Sequence, residues 1–329
     1  ENGWTGTQFN LVTEDDNMGR VAAEGWITLE TAEAIFDMAG LDYQELKARA
    51  QEPGFEAVPM GDLTASLAIN NTVERSSSRN FLAKLPGATR PDEVVIYMGH
   101  WDHFGTDSSL EGDQVFNGAV DNASGIAAIL EIAEAYTMLD PAPDPTVVFW
   151  GTTAEEQGLL GSAYYAQSPV YPLDMTVAAI NIDALPIYGA TRDYTIVGYG
   201  NSELDAYAEE ANALLDRVVK PNPEPEKGSF YRSDHFPLAK QGVPAHYGGA
   251  GHDNIEHGEE WSRAQSDAWT ANHYHQVSDE YSPDWDLDGA MQDIAVWFRM
   301  GMNLAYSSRF PEWNEGTEFK ALRDAMMGG

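Results

Sequence analysis

The chain contains no cysteine among its 329 residues. This absence excludes disulfide bonds, cysteine nucleophiles and thiolate metal ligands, and it says little about the compartment in which the protein works. Histidine and carboxylate side chains are left to bind metal, and the chain has 8 histidines and 53 acidic residues.

Basic residues are scarce as well. Lys and Arg number 18 against 53 Asp and Glu, which gives a formal net charge of -35. A surface this acidic repels nucleic acid and anionic lipid, so neither is expected as a partner. We interpret most of the acidic residues as solvent-exposed surface residues. The presence of only six lysines is typical of proteins from a saline habitat. The charge leaves the oligomeric state open.

Long apolar runs are also missing. No stretch of about 18 apolar residues occurs, so no membrane span is predicted. The chain begins at Glu1, without a basic segment followed by an apolar one. We therefore expect that any leader has been removed or lies outside this sequence.

The chain is interpreted as two regions, an N-terminal appendage over residues 1–62 and a larger domain over residues 63–329. The appendage has helical signals over residues 31–39, and Asp42 and Glu45 form a capping pair at the start of another helix. The larger region alternates between strand and helix patterns. This alternation predicts an α/β fold with a mostly parallel central sheet flanked by helices on both faces.

The period of the apolar residues predicts the individual elements. The continuous apolar run at residues 94–96 indicates a buried strand, whereas Ile294, Phe298 and Met302 lie at helical spacing. Strands are predicted at residues 63–73, 81–85, 93–98, 146–150, 177–182, 194–197 and 243–246. Helices are predicted at residues 125–139, 159–167, 202–216, 234–240 and 288–306, and a loop at residues 220–228.

Polar side chains follow several predicted strands. In an open α/β sheet, ligands bind beyond the carboxyl ends of the strands, so these positions are candidate functional residues. His100 follows the strand that ends at Met98, and Asp102 could accept the free ring N–H of His100 and fix its tautomer. Asp183 ends the sequence Ala-Ala-Ile-Asn-Ile-Asp, which is apolar enough that the carboxylate needs a partner.

Asp121 and the pair Glu155 and Glu156 are further candidates. Asp121 precedes a predicted helix, where it is either a helix N-cap or a carboxylate that bridges two metal ions. Two adjacent carboxylates at the end of an apolar strand are unfavourable unless a cation neutralises one of them. Because neighbouring residues in an extended segment point in opposite directions, we assign Glu156 to the metal and Glu155 to general-base catalysis.

The sequence Asn-His-Tyr-His offers two histidines near the C-terminal end of the domain. His275 is the preferred metal ligand and His273 is its competitor, while Tyr274 could donate a hydrogen bond to a developing oxyanion. Ser233 and Asp234 are interpreted as the cap of the short helix that follows them. The other histidines are interpreted as surface residues or as supports of the ligands: His103, His235, His246, His252 and His257.

Together these motifs resemble those of the M28 family of zinc peptidases, over roughly residues 63–306. The matching segments are Gly99-His100-Trp101-Asp102, Val120-Asp121-Asn122-Ala123-Ser124-Gly125, Ala154-Glu155-Glu156-Gln157-Gly158-Leu159 with Gly161-Ser162, Asn181-Ile182-Asp183, and Tyr274-His275. The resemblance implies a zinc-peptidase or phosphorylase-like fold that binds two zinc ions, for which cobalt or manganese could substitute. It implies that Asp121 bridges the two ions. One ion is bound by His100 and Asp183, and the other by Glu156 and His275.

The resemblance also implies roles for three residues that do not bind metal. Glu155 acts as the general base, Asp102 orients His100, and Tyr274 is the oxyanion donor. A hydroxide that bridges the metals attacks the scissile carbonyl, and it balances the one positive charge that three carboxylate ligands leave on two zinc ions. The expected protein is a secreted or periplasmic aminopeptidase that acts on peptides with a free N-terminus.

Two alternatives share this resemblance. A glutaminyl cyclase resembles the family but uses a single zinc, so the presence of both His100 and Asp183 favours the peptidase. A non-catalytic ectodomain with the same fold usually loses metal ligands, whereas this chain keeps the full set. In longer members a protease-associated domain occurs, and residues 1–62 resemble only the segment that follows it.

Overall fold

The computed structural model describes residues 7–328 of the chain. The chain divides into two compact units, and the division falls between Ser77 and Ser78. The strand predicted at residues 63–73 is wrong, because all of these residues are described and none of them joins a β-ladder. Their alternating apolar side chains, such as Leu67 and Val73, are exposed, so the alternation does not correspond to burial of one face.

The first unit contains both predicted helices, α1 (Leu29–Met38) and α2 (Tyr43–Arg49). The predicted capping of α2 is confirmed, since the backbone N–H of Glu45 donates to Asp42 Oδ1 at 2.8 Å. Phe36 and Tyr43 pack edge to face with their ring centroids 5.2 Å apart.

A seven-stranded sheet forms the centre of the second unit, and two further short strands pair with each other. In chain order the nine strands of the described residues are β1 (Phe81–Leu85), β2 (Arg90–His100), β3 (Gly105–Thr106), β4 (Val115–Phe116), β5 (Pro145–Thr152), β6 (Thr176–Asn181), β7 (Asp193–Ile196), β8 (Val218–Pro221) and β9 (Ala245–Ala250). The sheet has the order β1-β5-β2-β6-β9-β7-β8, and β3 pairs separately with β4. Parallel pairing joins β5, β2, β6 and β9, while β1 and β7 are antiparallel to their neighbours β5 and β9. The predicted mostly parallel sheet is confirmed.

The helices of this unit are α3 (Gly125–Thr137), α4 (Leu160–Gln167), α5 (Leu204–Ala213), α6 (His235–Ala239), α7 (Gly258–Asn272), α8 (Asp288–Ala305) and α9 (Lys320–Met326). As predicted, helices cover both faces of the sheet. Val95 and Tyr97 of β2 enter a core with α3, α5 and α8, whereas Ile96 and Met98 enter a second core with α4 and α6. Successive strand residues point to opposite faces, so this alternation places one helical layer on each side.

Two α-helices and three strands escape the sequence-based predictions: α7, α9, β3, β4 and β8. The strand β8 includes the start of the segment that is predicted as a loop at residues 220–228. Ser262 is the buried residue of α7, so this helix has no apolar stripe from which its period could be recognised. Among the described residues, no helix is both long and apolar enough to cross a membrane.

Candidate metal centre

Three neighbouring parallel strands end at one edge of the sheet. His100, the last residue of β2, pairs in register with Thr152, the last residue of β5. On the other side of β2, Met98 pairs with Asn181, the last residue of β6. The loops that leave β5 and β6 therefore begin beside His100, and these loops carry the other strand-end candidates.

The structure brings the five expected metal ligands into one cluster. Asp121 faces two histidines, because its Oδ1 lies 3.1 Å from His100 Nε2 and its Oδ2 lies 3.4 Å from His275 Nε2. Asp183 Oδ1 lies 3.4 Å from the same nitrogen of His100. Glu156 Oε2 lies 3.2 Å from the same nitrogen of His275. Two groups of ligand atoms therefore share the Asp121 carboxylate.

The chemistry of His100 fits a metal ligand. Its Nδ1 lies 3.0 Å from the backbone carbonyl oxygen of Asp102. A carbonyl only accepts hydrogen bonds, so Nδ1 carries a proton and Nε2 is the nitrogen available to bind a metal ion. His100 is 1% exposed, and within the described chain Nε2 has no hydrogen-bond partner, although two carboxylates lie nearby. Imidazole nitrogen combined with carboxylate oxygen suits zinc.

The electrostatics of the cluster also favour a cation. Burial lowers the pKa of His100, but the carboxylates of Asp121 and Asp183 outweigh burial and hold this pKa well above its usual value. Burial raises the pKa of Asp121, and the adjacent His100 and His275 outweigh burial and lower it well below its usual range. Oxygens that stabilise a proton on a buried histidine can stabilise a metal ion in its place.

Asp102 contacts the cluster differently from the sequence-based expectation. The backbone carbonyl of Asp102, rather than its carboxylate, accepts from His100, since the carboxylate Oδ1 is 3.9 Å from Nδ1. The two carboxylate oxygens accept the backbone N–H groups of Glu155 at 3.1 Å and Glu156 at 3.3 Å. Asp102 therefore connects the end of β2 to the loop that carries both glutamates.

His103 has one of the two roles that the sequence left open for it, the support of a ligand. Its Nδ1 lies 2.6 Å from Glu156 Oε1, and its side chain is 7% exposed. The other oxygen of Glu156 faces His275, so the two histidines take one oxygen each. The signal that could have selected this role was the short spacing between His100 and His103 directly after a buried strand.

Glu155 lies next to the ligands and is largely withdrawn from water. Ligand atoms of His100, Glu155 and Glu156 all lie within 4.8 Å of one another. Burial raises the pKa of Glu155 well above its usual value, and the negative charges of Asp183 and Asp234 add to the effect. A carboxyl group whose pKa is raised in this way is suited to take up a proton and pass it on.

Three non-glycine residues at or beside the functional side chains adopt left-handed backbone conformations. Ala154 precedes Glu155 with φ 54°, Ala184 follows Asp183 with φ 59°, and His275 itself has φ 58°. Each such residue costs on the order of 1 kcal/mol. Strain of this kind persists where the surrounding structure enforces it, and the local sequence gives no sign of it.

Asp234 occupies the N-cap position of α6, but no side chain there makes a capping hydrogen bond. The hydroxyl of Ser233 donates to Asp183 Oδ2 at 2.6 Å and accepts from Asn181 Nδ2 at 2.7 Å. Asp234 accepts from the hydroxyls of Thr152 and Ser162, the latter at 2.5 Å. Burial raises the pKa of Asp234 to about 6. Both side chains instead support the ends of β5 and β6.

The structure separates the two competing histidines. His273 Nδ1 lies 3.0 Å from the carbonyl oxygen and from the hydroxyl of Ser278, in the turn after α7. His275 reaches the cluster, and the ring of Tyr274 stacks on it with centroids 3.7 Å apart. Burial raises the pKa of Tyr274 above its usual value, and the charge of Asp121 contributes. The phenol therefore stays protonated and able to donate.

Four other histidines do not join the cluster. His235 and His246 are interior residues rather than surface residues, and burial lowers the pKa of each to about 3. His246 Nε2 lies 2.8 Å from the hydroxyl of Tyr194. His257 stacks on Trp261, and burial lowers the pKa of His252.

The fold and the cluster define a class of protein: an α/β chain with clustered histidines and carboxylates at the carboxyl ends of parallel strands, which is the arrangement of a metal-dependent hydrolase. The sequence profile of peptidase family M28 matches residues 80–298, and these residues include all eight expected site residues. The chain belongs to peptidase family M28.

Several proteins resemble the chain. Aminopeptidase NAALADL1 of Mus musculus is 34% identical over 148 residues, which cover 42% of this chain and 18% of the relative. A probable zinc metalloprotease of Pyricularia oryzae is 33% identical over 165 residues, which cover 50% of this chain and 29% of the relative. The chain thus matches less than a third of the length of either protein. A zinc aminopeptidase from Bacillus subtilis shares the fold, with a TM-score of 0.50, 18% identity and coverage of 68% and 49% of the two chains.

Proposed function

We propose that this protein is a di-zinc aminopeptidase that hydrolyses the N-terminal peptide bond of peptides. The observation that carries the proposal is the position of Asp121, whose two oxygens face His100 and His275 separately. A carboxylate shared in this way suits two ions held side by side. Two zinc ions, when bound, would lower the pKa of a water molecule and polarise the scissile carbonyl.

Glu155 is the proposed proton carrier. It lies beside the ligands without belonging to the histidine–carboxylate contacts, and burial raises its pKa. In the proposed reaction Glu155 takes a proton from the attacking water and delivers it to the departing amine, which needs a carboxyl group that can hold the proton between the two steps. Tyr274, stacked on His275, donates to the carbonyl oxygen as negative charge develops there.

The acidic surroundings favour a substrate with a free N-terminus. Beyond the ligands, the centre contains the buried carboxylate of Asp234 and the partly buried carboxylates of Glu155 and Asp102. A substrate that brings an ammonium group is attracted by these charges, whereas an N-acylated peptide is not. The relative from Mus musculus is named an aminopeptidase, which supports the same choice of substrate.

The Glu155→Gln variant tests the assignment. Glutamine is nearly the same size but cannot accept a proton, so the turnover number should fall by about 10²- to 10⁴-fold. The zinc content should stay near that of the wild type, because Glu155 is not a proposed ligand. Metal analysis by mass spectrometry and assays with a leucine anilide measure the two quantities.

The matched control is Glu131→Gln, which makes the same chemical change on the exposed side of α3 and should leave both quantities unchanged. Full activity of Glu155→Gln would remove Glu155 from the mechanism. A wild-type chain that binds no zinc would instead point to a non-catalytic ectodomain. A peptide with N-terminal Gln, assayed in parallel, separates hydrolysis from cyclisation.

A further inference from the structure

One buried acid near the centre has no part in the proposed chemistry. Asp279 lies four residues after His275 and is 1% exposed. Its side chain forms no salt bridge with the described residues. A buried carboxylate is unfavourable unless hydrogen bonds satisfy it, so its partners indicate why it is placed there.

Asp279 binds three consecutive backbone amides. The N–H of Ala119 donates to its carbonyl oxygen at 3.1 Å, the N–H of Val120 to Oδ1 at 2.9 Å, and the N–H of Asp121 to Oδ2 at 3.1 Å. Asp279 therefore holds the turn Ala119–Ser124 through both carboxylate oxygens and its backbone carbonyl. This turn departs from helical geometry at Asp121 itself, with φ -111° and ψ 87°, so its conformation needs outside support.

The same contacts connect two segments that supply metal ligands. Asp279 belongs to the loop after α7, where its own N–H donates to the carbonyl of Gln276 at 3.1 Å. This loop carries His275, and the turn to which Asp279 is hydrogen-bonded carries Asp121. The 3.4 Å approach of Asp121 Oδ2 to His275 Nε2 therefore depends on how Asp279 fixes the two segments against each other.

We propose that Asp279 is a positioning residue of the metal centre, whose carboxylate fixes the backbone of Asp121 so that one side chain reaches both metal positions. This inference rests on the proposed function. Since Asp121 is shared by the two groups of ligand atoms, its displacement weakens both positions together. Loss of an outer support of a metal ligand typically lowers metal affinity by about 10- to 100-fold.

The Asp279→Asn variant tests the inference. Asparagine has one acceptor oxygen, so it can accept from only one of the two N–H groups. Its NH₂ group would face the N–H of Val120 or of Asp121, and two donors would then replace one of the two hydrogen bonds. Both zinc dissociation constants should rise by about 10- to 100-fold. Competition against a chromophoric chelator measures these constants directly. At limiting zinc the turnover number should fall, and excess zinc should restore most of it with little change in KM.

Glu280→Gln is the matched control. It makes the same change of charge at the next residue, which is exposed and accepts a hydrogen bond from Asn117 Nδ2 at 3.2 Å. An amide oxygen can accept this hydrogen bond as well. The control should therefore keep the zinc dissociation constants of the wild type.

Circular dichroism of the zinc-free proteins checks that the variants are folded. If Asp279→Asn does not fold, Asp279→Glu takes its place, because it keeps the charge and both acceptors but shifts them by one methylene. Wild-type zinc affinity in a folded variant overturns the inference, and so does failure of both variants to fold, since the acid would then serve the fold alone. A wild-type protein without zinc affinity would instead overturn the proposed function.

Discussion

At the scale of single residues, the centre contains more acids than the proposed pair of zinc ions needs as ligands. Asp102, Asp234 and Asp279 bind backbone amides or hydroxyl groups instead of cations. Hydrogen bonds from neutral donors satisfy these oxygens without cancelling their charge. The negative potential of the cluster is thus preserved, as the proposed zinc ions and the proposed cationic substrate require.

His103 supports a residue-scale prediction. Because its Nδ1 contacts Glu156 Oε1, His103→Leu should free that oxygen and weaken zinc binding at the position of Glu156 and His275 by about 10- to 100-fold. His103→Asn places a donor near the same point and should recover part of the affinity. Competition titrations that resolve two dissociation constants measure the effect.

His257→Asn serves as the control for this series, since His257 is exposed and stacks on Trp261 outside the cluster. Equal zinc affinities in His103→Leu and the wild type would contradict the prediction.

At the scale of elements, the position of β2 depends on close packing with α8. Tyr97 of β2 donates to the backbone carbonyl of Trp297 at 3.0 Å and lies 3.1 Å from the hydroxyl of Tyr136 on α3. Gly301 faces this point, and a Cβ atom there would lie 1.7 Å from the Tyr97 hydroxyl. The contact locates α8 against the strand whose last residue is His100.

Gly301→Ala should therefore destabilise the second unit. The added methyl group forces α8 or Tyr97 to move, and overpacking of this kind costs about 1–3 kcal/mol. The free energy of unfolding in urea, measured on zinc-free protein, should fall accordingly.

Met291→Ala makes a change on the exposed side of the same helix and should have a smaller effect. An unchanged urea midpoint for Gly301→Ala would show that this interface is more tolerant than its geometry indicates.

At the scale of the whole molecule, the net charge of -35 opposes the folded state. With 18 basic residues against 53 acids, repulsion between exposed carboxylates outweighs the exposed ion pairs, each of which contributes little. Salt weakens both interactions, but the repulsions are far more numerous.

Sodium chloride should therefore raise the thermal midpoint of unfolding. Between 0.1 M and 1 M salt the screening length falls from about 10 Å to about 3 Å, which removes most of the repulsion between separate surface groups. Differential scanning calorimetry over this range measures the shift. Sucrose at matched osmolality is the control for exclusion effects, and a midpoint that falls in salt would contradict the prediction.

Much of the fold can be predicted from the sequence, because elements with one buried face have regularly spaced apolar residues. The strands β2, β5, β6 and β7 and the helices α3 and α8 are each recognised from apolar residues that the structure buries. Three of the predicted ligand residues, His100, Glu156 and Asp183, stand out for a related reason, since acids and histidines at the ends of buried strands are costly without partners. Elements without a buried face, such as α7, have no such spacing and were missed.

The tertiary structure alone decides how residues distant in the chain meet. Only the folded chain shows that His103 takes one oxygen of Glu156, that the backbone of Asp102 binds His100, and that Asp279 holds the amide of Asp121. Such contacts depend on loop conformations, including positive φ at non-glycine residues, which no local preference specifies. The sequence by itself determined most of the elements with a buried face and the residue types of the centre, because burial and charge are local properties. The geometry was decided by packing between segments, because distances between loops are set by the whole fold.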